Sequence, residues 1–353
     1  MLTSSQVKAR SLELGFDACG VAPAVDLPAL SRLPDWLARG FGGRMTYLNR
    51  TARVRADVRH WLPSARSVIV VASLYNTDEP HDIEIADPAR ARIARYAWGD
   101  DYHDVMGRRL ADLAAWMREE AGPGFDARWC VDDGPVQEKV YACHAGIGWI
   151  GKNTCVISPE VGSWILLGVL ACSLPLDPDS PAVDRCGHCR LCVEACPAGA
   201  IVEPYLLDAS RCLSYLTIEI RGSIPEEQRP GLGAHVFGCD ICQDVCPYNS
   251  TARISSDVHW RPRPMLKRAS LEALWMAGDS ELDEGIAGTA LRRAGVRGLR
   301  RNLAVAIGNA GSSLASILAS EAGEGRAAER RSLGDPAVAE HVAWARTRPR
   351  GAG

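Results

Sequence analysis

The chain has 353 residues, more than one ordinary hydrophobic core holds, so its length predicts two or three domains. Hydrophobic residues make up 47% and charged residues 24%, which excludes a disordered, collagen-like or coiled-coil protein. The formal net charge of −3 excludes a chain that is polycationic throughout, so any nucleic-acid surface would be a local patch. The first 25 residues lack the apolar core of a secretory signal, and no apolar run is long enough to span a bilayer. We therefore expect a cytoplasmic protein with no membrane partner.

Residues 1 to about 175 carry the mixed pattern of strands and helices that predicts an α+β or α/β domain. Two apolar runs, Ser67–Ala72 and Trp164–Leu170, predict buried strands. Between these runs, residues 89–120 place apolar side chains on one face of a predicted helix. Those side chains are Leu110, Leu113, Ala114 and Met117.

The pattern changes twice in the second half of the chain. Residues 176–260 show little regular periodicity, which predicts a separate loop-rich domain, and residues 261–353 are rich in Ala, Leu and Arg. In this tail, Leu299–Asn309 is typical of the inner helix of a HEAT-type repeat, and Asp335-Pro336 predicts the start of another helix. Between positions 286 and 350, eleven basic residues stand against five acidic ones, a local net charge of +6. The tail is either a helical cap with a solvated arginine face or a basic surface for a phosphate backbone.

Thirteen cysteines are many for a cytoplasmic chain, in which disulfides are rare. Eight of them fall between Cys186 and Cys246, and such a concentration favours metal binding over a disulfide framework. The other five are scattered, and we expect them to be small buried apolar side chains. They are Cys19, Cys130, Cys143, Cys155 and Cys172.

The eight clustered cysteines form two runs. The first, Cys186-x2-Cys189-x2-Cys192-x3-Cys196-Pro197, has the spacing of a bacterial ferredoxin, in which the fourth thiolate binds the other cluster. The second, Cys239-x2-Cys242-x3-Cys246-Pro247, lacks its first member, and Cys212 is the cysteine between the runs that can replace it. Crossing the fourth ligands gives two complete sets. The cluster-one set is Cys186, Cys189, Cys192 and Cys246, and the cluster-two set is Cys196, Cys212, Cys239 and Cys242.

Two 4Fe–4S clusters predict electron transfer. The alternative is a pair of zinc sites, but zinc-binding cysteines usually come as separated C-x2-C pairs and not as a triplet followed by Cys-Pro. A ferredoxin alone needs far fewer residues than this chain has. We therefore expect the first domain to use the electrons.

Several segments resemble the epoxyqueuosine reductase family, in an order and spacing that cover nearly the whole chain. The segments are Asp101-Tyr102-His103, Val131–Val136, Ala145–Thr154, Gly162–Trp164, Cys212–Glu219 and Phe237–Pro247. The resemblance also takes in Leu14–Asp17, Arg55, the strand predicted at Ser67–Ala72 and the helical tail.

The resemblance implies a cobalamin in the first domain beside two 4Fe–4S clusters in a ferredoxin-like domain. It implies that the chain reduces epoxyqueuosine to queuosine at the wobble position of tRNA anticodons, the final step of queuosine biosynthesis. The reaction removes the epoxide oxygen with two electrons, and it needs a low-potential metal centre and a proton for the departing oxygen. An external low-potential electron donor is implied as a partner, and a monomer is expected.

The family's general acid is the aspartate of a Val-Asp-x-Gly-Pro segment, which falls on Asp132. Asp133 stands where Thr or Ser is more usual, and both aspartates are also well suited to cap the turn before Gly134-Pro135. The resemblance implies that Asp132 also contacts cobalamin together with six other residues. They are Arg55, Tyr102, His103, Lys152, Ser158 and Ser214, with His103 acting through a hydrogen bond and not as a cobalt ligand.

The resemblance also implies a tRNA contact at Arg221, close to cluster two. A modified wobble base lies in a single-stranded loop, from which it can be inserted into a pocket. With the basic tail as a backbone contact, this predicts salt-sensitive tRNA binding.

Two other functions stay open at this point. Reductive dehalogenases also combine cobalamin with two 4Fe–4S clusters, but they carry a twin-arginine signal that this N-terminus lacks, and Val131–Val136 fits them poorly. A non-catalytic electron-transfer protein would leave the first domain and the basic tail without a role. Such a carrier would purify with iron and sulfide but without cobalt.

Overall fold

The computed structural model describes residues 2–311, 314, 316–318 and 331–348. The strands within these residues are β1 (Ala18–Pro23), β2 (Ser67–Leu74), β3 (Arg92–Ile93), β4 (Ala127–Cys130), β5 (Trp149–Ile150), β6 (Val156–Ile157), β7 (Ile165–Cys172), β8 (Ile201–Glu203), β9 (Leu206–Leu207) and β10 (His235–Phe237). The α-helices are α1 (Ser4–Glu13), α2 (Leu33–Ala38), α3 (Thr46–Arg55), α4 (Tyr102–Ala121), α5 (Glu138–His144), α6 (Leu191–Ala195), α7 (Leu213–Ile218), α8 (Ile241–Asp244), α9 (Leu271–Met276), α10 (Asp279–Ile286), α11 (Gly295–Ala310) and α12 (Pro336–Thr347). No helix in this described part of the chain is both long and apolar enough to cross a membrane.

The first part of the chain is built on a four-stranded sheet with the order β1-β2-β7-β4. Every neighbouring pair in this sheet is antiparallel, which is the α+β form of the predicted fold and not the parallel α/β form. The two predicted strands are confirmed as β2 and β7. The predicted run Ser67–Ala72 extends to Leu74, and the run that begins at Trp164 forms a strand from Ile165 to Cys172.

Both faces of β2 are buried, which explains its unbroken apolar sequence. Ile69 and Val71 point into the larger core, where α1 and α4 pack, and Val68 and Val70 point into a second core under α5. Since β4 is an edge strand and α5 returns over the sheet, the connecting residues 131–137 are held at the sheet edge. This connection carries the predicted general acid.

The helix predicted within residues 89–120 is α4, and its predicted apolar face is buried. It begins only at Tyr102, because the Asp101 carboxylate accepts a hydrogen bond from the backbone N–H of His103 and so caps the first turn. Residues 89–101 are not α-helical and contain β3 and a short 3-10 helix instead.

Residues 176–260 contain short elements joined by loops, as their weak periodicity predicts. β8 and β9 form an antiparallel hairpin, and β10 pairs in parallel with β3. This pairing connects the cysteine-containing region to the residues that precede α4.

Both helices predicted in the tail are confirmed, as α11 and α12, and they pack against each other. The basic count of the tail overstates its exposed charge, because Arg300 and Arg301 are 0% and 2% exposed. The Arg301 guanidinium donates to the backbone carbonyls of Leu216, Ile220 and Gly222. Arg301 therefore fastens the tail to the cysteine-containing region and adds nothing to a solvent-exposed surface.

Candidate functional site

The cluster-one set lies together around one small cavity of about 50 Å³. The indole Nε1 of Trp149 donates to Cys186 Sγ at 3.3 Å. The ammonium of Lys152 donates to the carbonyl oxygens of Gly187 and Cys189 at 2.5 and 2.8 Å. Converging thiols with nearby N–H donors and a cation fit a 4Fe–4S cluster held by thiolates.

The cluster-two set lies among residues of the protein interior. Burial raises the pKa of Cys212, and the neighbouring Cys196 thiol acts in the same direction. The backbone N–H groups of Ser214 and Tyr215 and the Ser214 hydroxyl donate to the Cys212 sulfur, which favours its thiolate. Ala200 N–H donates to Cys196 Sγ at 3.3 Å. Ser214, expected at the cobalamin, is thus in contact with a cysteine of the cluster-two set.

One of the five scattered cysteines also contacts the cluster-two set. Cys155, expected to be a small buried apolar side chain, accepts a hydrogen bond from the Cys242 thiol. Asn153 Nδ2 donates to the Cys242 carbonyl at 3.2 Å. Between them, Thr154 has a left-handed backbone conformation, with φ 64°, and lines a much larger cavity. The turn at residues 151–155 therefore separates Cys242 from that cavity.

The larger cavity has a volume of about 640 Å³. It opens between the β4–α5 connection, the β5–β6 hairpin and the cysteine-containing region. Its apolar lining includes Val136, Val140, Trp149, Ile150 and Ala182, and its polar lining includes Asp132, Gln137, Glu138, Lys139, Asp184 and Tyr205. A large cleft with mostly apolar walls and a few polar groups fits a bulky organic cofactor.

Asp132 lies on the wall of this cavity and has a left-handed backbone conformation, with φ 60°, which is rare for a residue other than glycine. Two hydrogen bonds hold it there. The Tyr102 hydroxyl donates to Asp132 Oδ2 at 2.8 Å, and Asp132 N–H donates to Glu138 Oε1 at 2.8 Å. Asp133 Oδ1 accepts from Val131 N–H at 3.0 Å, so the turn-capping role belongs to Asp133.

Glu138 is a site residue that the sequence analysis missed. Burial, together with the charges of Asp132 and Asp133, raises the pKa of Glu138 to about 8. The sequence gives only a weak signal for Glu138. An acidic residue in the first turn of a helix is common, because it interacts favourably with the helix dipole, and so does not by itself indicate a site residue.

Tyr102 and His103 form the first turn of α4. Burial raises the pKa of Tyr102, and the Asp132 charge adds to this effect, so the hydroxyl remains a donor. His103 Nδ1 is paired with Asp101 Oδ1 at 2.7 Å, and its ring lies against that of Tyr102 with centroids 4.0 Å apart. Burial lowers the pKa of His103, but Asp101 outweighs burial and the pKa is raised overall. His103 therefore orients Tyr102 toward Asp132.

Of the seven predicted cobalamin contacts, Asp132 lines the cavity and the other six do not. Tyr102 and His103 lie behind Asp132, and Ser214 lies at the cluster-two set, as described above. Arg55 donates to the Val136 carbonyl at 3.0 Å and so supports the loop after β4. Lys152 supports the cluster-one loop, as described above. The Ser158 hydroxyl accepts from Glu160 N–H at 3.3 Å within a tight turn.

Arg221 lies where α7 meets the tail. Its guanidinium donates to the Arg293 carbonyl, and Arg297 donates to the Arg221 carbonyl at 3.1 Å. The Arg293 guanidinium contacts both carboxylate oxygens of Glu219 at 3.1 Å. Glu219 raises the pKa of Arg293, and the Asp132 charge contributes to the same shift. A group of arginines thus borders the side of the site that faces the tail.

Residues 185–249 match the family described as "4Fe-4S double cluster binding domain", and this range contains both cysteine sets. The class is therefore an iron–sulfur protein with two 4Fe–4S clusters beside a cofactor-sized cavity. Residues 55–133 match the family described as "Epoxyqueuosine reductase QueG, DUF1730".

Relatives extend this match over the whole chain. The chain is 43% identical over 320 residues to the epoxyqueuosine reductase of Gloeobacter violaceus, covering 89% of this chain and 98% of that protein. It is 40% identical over 345 residues to the epoxyqueuosine reductase of Pseudomonas aeruginosa, covering 97% and 93%. The chain belongs to the epoxyqueuosine reductase family. It is an oxidoreductase that reduces epoxyqueuosine in tRNA, so a dehalogenase and a non-catalytic electron carrier are set aside.

Two solved structures have the same fold. Epoxyqueuosine reductase from Bacillus subtilis, with its catalytic aspartate loop swung out of the active site, aligns with a TM-score of 0.81 at 28% identity, covering 97% of this chain and 93% of that one. An epoxyqueuosine reductase with a tRNA-Tyr epoxyqueuosine-modified stem loop aligns with a TM-score of 0.80 at 28% identity, covering 99% and 94%.

Proposed function

We propose that this chain removes the epoxide oxygen of epoxyqueuosine at the tRNA wobble position with Asp132 as the proton donor and with cobalamin in the 640 Å³ cavity. The observation that carries the proposal is the Asp132 carboxylate on the cavity wall, held by Tyr102. When bound, cobalamin supplies a low-potential cobalt centre between the clusters and the substrate. The apolar lining of the cavity, from Val136 to Ile150, would hold it.

The residues of this chain have separate tasks in the reaction. Tyr102 donates to Oδ2 of Asp132, which leaves Oδ1 to present the proton to the epoxide oxygen. His103 and Asp101 keep the Tyr102 ring in place. Arg55 supports the loop that carries the acid, through the Val136 carbonyl.

The other assignments are part of the same proposal. Residues 1–175 form the catalytic domain, residues 176–260 the ferredoxin-like domain, and residues 261–353 a HEAT-like helical domain. Each cysteine set binds one 4Fe–4S cluster, with Lys152 supporting the cluster-one loop and Ser214 donating to Cys212 of the cluster-two set. The cofactor contact predicted for Ser158 remains part of the proposal. Arg221, with its neighbours in the tail, contacts the tRNA backbone. The protein acts as a cytoplasmic monomer that takes electrons from an external low-potential donor.

The first test is metal analysis after anaerobic purification from cells grown with cobalamin. We expect about eight iron and one cobalt per chain, as two 4Fe–4S clusters and one cobalamin require. Eight iron without cobalt, even after cobalamin is added back, would leave an electron carrier and contradict the proposal.

The second test separates the two neighbouring aspartates. Asp132→Asn should keep iron, cobalt and stem-loop binding but lower turnover about 10²- to 10⁴-fold, because the acid is lost. Asp133→Asn is the matched control and should retain most turnover, because Asp133 faces its own turn. Normal turnover of the Asp132 variant would exclude it as the proton donor. Arg221→Ala should weaken stem-loop binding and leave the metal content unchanged.

A further inference from the structure

We infer that Glu138 is the proton reserve of Asp132, returning a proton to the Asp132 carboxylate between the two protonation steps of the reaction. The inference rests on the proposed function. It gives a task to a carboxyl group that lines the cavity beside the acid.

The stoichiometry of the reaction requires a second proton. Removing an epoxide oxygen as water breaks two C–O bonds, forms one C=C bond, and consumes two electrons and two protons. The electrons come from the two clusters. The first proton goes to the oxygen as the ring opens and leaves a hydroxyl group. The second converts that hydroxyl into the departing water as the second C–O bond breaks. Asp132 carries one proton at a time and must be reprotonated between these steps.

The geometry places Glu138 where it can do this. Its Oε1 accepts from Asp132 N–H at 2.8 Å and faces the Cys130 thiol at 3.8 Å. Both contacts engage the same oxygen, so a proton on Glu138 is held on Oε2. Asp132 and Glu138 both line the same cavity, so a proton that leaves Oε2 for the Asp132 carboxylate crosses that cavity and leaves a Glu138 carboxylate behind.

The surroundings of Glu138 keep it protonated near neutral pH. Asp132 and Asp133 face it from its own loop, Cys130 from β4 and Tyr102 from α4. Burial is the main cause that raises the pKa of Glu138 to about 8, and the charges of Asp132 and Asp133 add to it, while the hydrogen bonds from Asp132 N–H and the Cys130 thiol act in the opposite direction. The cations Arg32 and Lys139 line the same cavity. A group that releases its proton near the working pH is suited to supply one.

The test compares Glu138→Gln with Glu138→Asp. Glutamine still accepts a hydrogen bond from Asp132 N–H but holds no proton, so iron, cobalt and stem-loop KM should stay unchanged while kcat falls about tenfold or more. In the wild-type protein, kcat should decline as the pH rises through about 8, because Glu138 then loses its proton. This decline should be absent in Glu138→Gln and present in Glu138→Asp. A purely structural role would change cofactor content or KM and would leave the pH dependence of kcat as it is.

A second readout does not depend on turnover. Infrared difference spectra of the full-length protein, recorded across the pH range, should show protonated carboxyl signals that disappear near pH 8, one from Glu138 and one from Asp244, whose pKa burial also raises to about 8. The Glu138 signal should be missing in Glu138→Gln, which keeps that of Asp244, and both signals should be retained in Asp133→Asn. If Glu138→Gln has the wild-type kcat, pH profile and infrared signal, the inference is wrong while the reductase proposal stands. If Asp132→Asn keeps full turnover, the proposed function itself fails.

Discussion

The two cysteine sets have related spacings but different surroundings. The cluster-one set reaches the surface at Cys189, which is exposed and lies near Val183 and Leu191, 74% and 47% exposed, while its member Cys246 is buried. The cluster-two set lies beside Asp240 and Tyr75, which are 5% and 4% exposed. An exposed cluster suits electron exchange with an external donor, and an interior one suits delivery to the cavity. Spacing therefore defines the ligands, while the fold around each set defines its task.

The cluster-two set is also held by a network around two buried charged residues, Asp240 and Arg95. Asp240, between Cys239 and Cys242, accepts from Arg95 N–H at 2.6 Å. The buried Arg95 guanidinium donates to the carbonyl oxygens of Thr77, Glu79 and Pro80. The cluster-one loop is held by the ammonium of Lys152, which donates to the carbonyl oxygens of Gly187 and Cys189, and by an exposed ion pair of 3.7 Å on α6. We therefore expect the cluster-two region to contribute more to global stability.

Replacing one ligand in each set should have the largest effect. Cys212→Ser should reduce iron from about eight to about four per chain and lower the melting temperature, because cluster binding contributes to folding of the interior site. Cys189→Ser should also lose about four iron but melt closer to the wild type, because this residue is exposed. Cys19→Ser is the control and should keep its iron. Equal melting temperatures of the two ligand variants would contradict the comparison.

Removing the buried guanidinium of Arg95 should have the next largest effect on stability. Arg95→Met removes the guanidinium that donates to the carbonyl oxygens of Thr77, Glu79 and Pro80, and the loss of these buried hydrogen bonds should lower the free energy of unfolding by about 3–5 kcal/mol. The matched control is Arg190→Met in the cluster-one loop, where Arg190 and Glu194 are 54% and 66% exposed. That change should cost less than about 1 kcal/mol. Denaturant unfolding measures both, and similar losses would mean that the buried network does not stabilise the fold.

Acid should weaken the interior region. Burial lowers the pKa of His235, at the start of β10, from 6.5 to about 4. The folded state therefore favours the neutral ring, and this stabilisation is present above pH 6.5 and is lost as the pH falls toward 4. The loss should reach about 3 kcal/mol at pH 4.

Urea unfolding at a series of pH values measures this slope, with iron content followed in parallel to separate cluster loss. His235→Gln should flatten the slope. His188→Gln, a control on the exposed cluster-one loop, should leave it unchanged. A slope that His235→Gln does not alter would assign the acid sensitivity to other groups.

Much of this organisation can be predicted from the sequence, because it depends on residues that are neighbours along the chain or on a complete set of cysteines with defined spacing. The apolar runs at β2 and β7 predict strands because both faces of those strands are buried. The two cysteine sets follow from spacing because eight ligands must divide into four and four. Asp132 follows from the family resemblance, since an aspartate in a turn is ordinarily a capping residue.

Other features depend on approaches between distant segments, and the sequence carries little signal for them. Asn153 contacts Cys242 although the two residues are separated by 89 positions along the chain, and Cys155 contacts Cys242 from the same turn. Arg301 counts as surface charge in the sequence, because arginines are mostly exposed, yet backbone carbonyls near α7 bind it in the interior. The sequence does not identify Glu138 as a site residue, because its contact with the Asp132 backbone N–H forms only when α5 packs beside the loop of Asp132.

The smallest effect is expected for two substitutions that each remove one hydrogen bond to a cysteine of one cluster. Trp149→Phe removes the indole N–H that donates to Cys186. As a thiol, Cys242 donates to Cys155, but an iron-bound Cys242 thiolate has no proton, so Cys155 is then the donor that Cys155→Ala removes. Each loss should make one cluster harder to reduce, because a hydrogen bond to a ligating sulfur stabilises the more negative, reduced state. A tenfold change in the reduced-to-oxidised ratio corresponds to 59 mV for a one-electron couple, and we expect this or less.

Redox titration followed by electron paramagnetic resonance resolves the two clusters. Trp149→Phe should shift only the potential of cluster one, and Cys155→Ala only that of cluster two. Cys155→Ser, which keeps a hydroxyl donor, should lie between Cys155→Ala and the wild type. If both substitutions shifted the same cluster, the division into two sets would be wrong. If neither shifted a potential, the sulfur contacts would have only a packing role, because a buried hydrogen bond that does not discriminate between redox states cannot tune them.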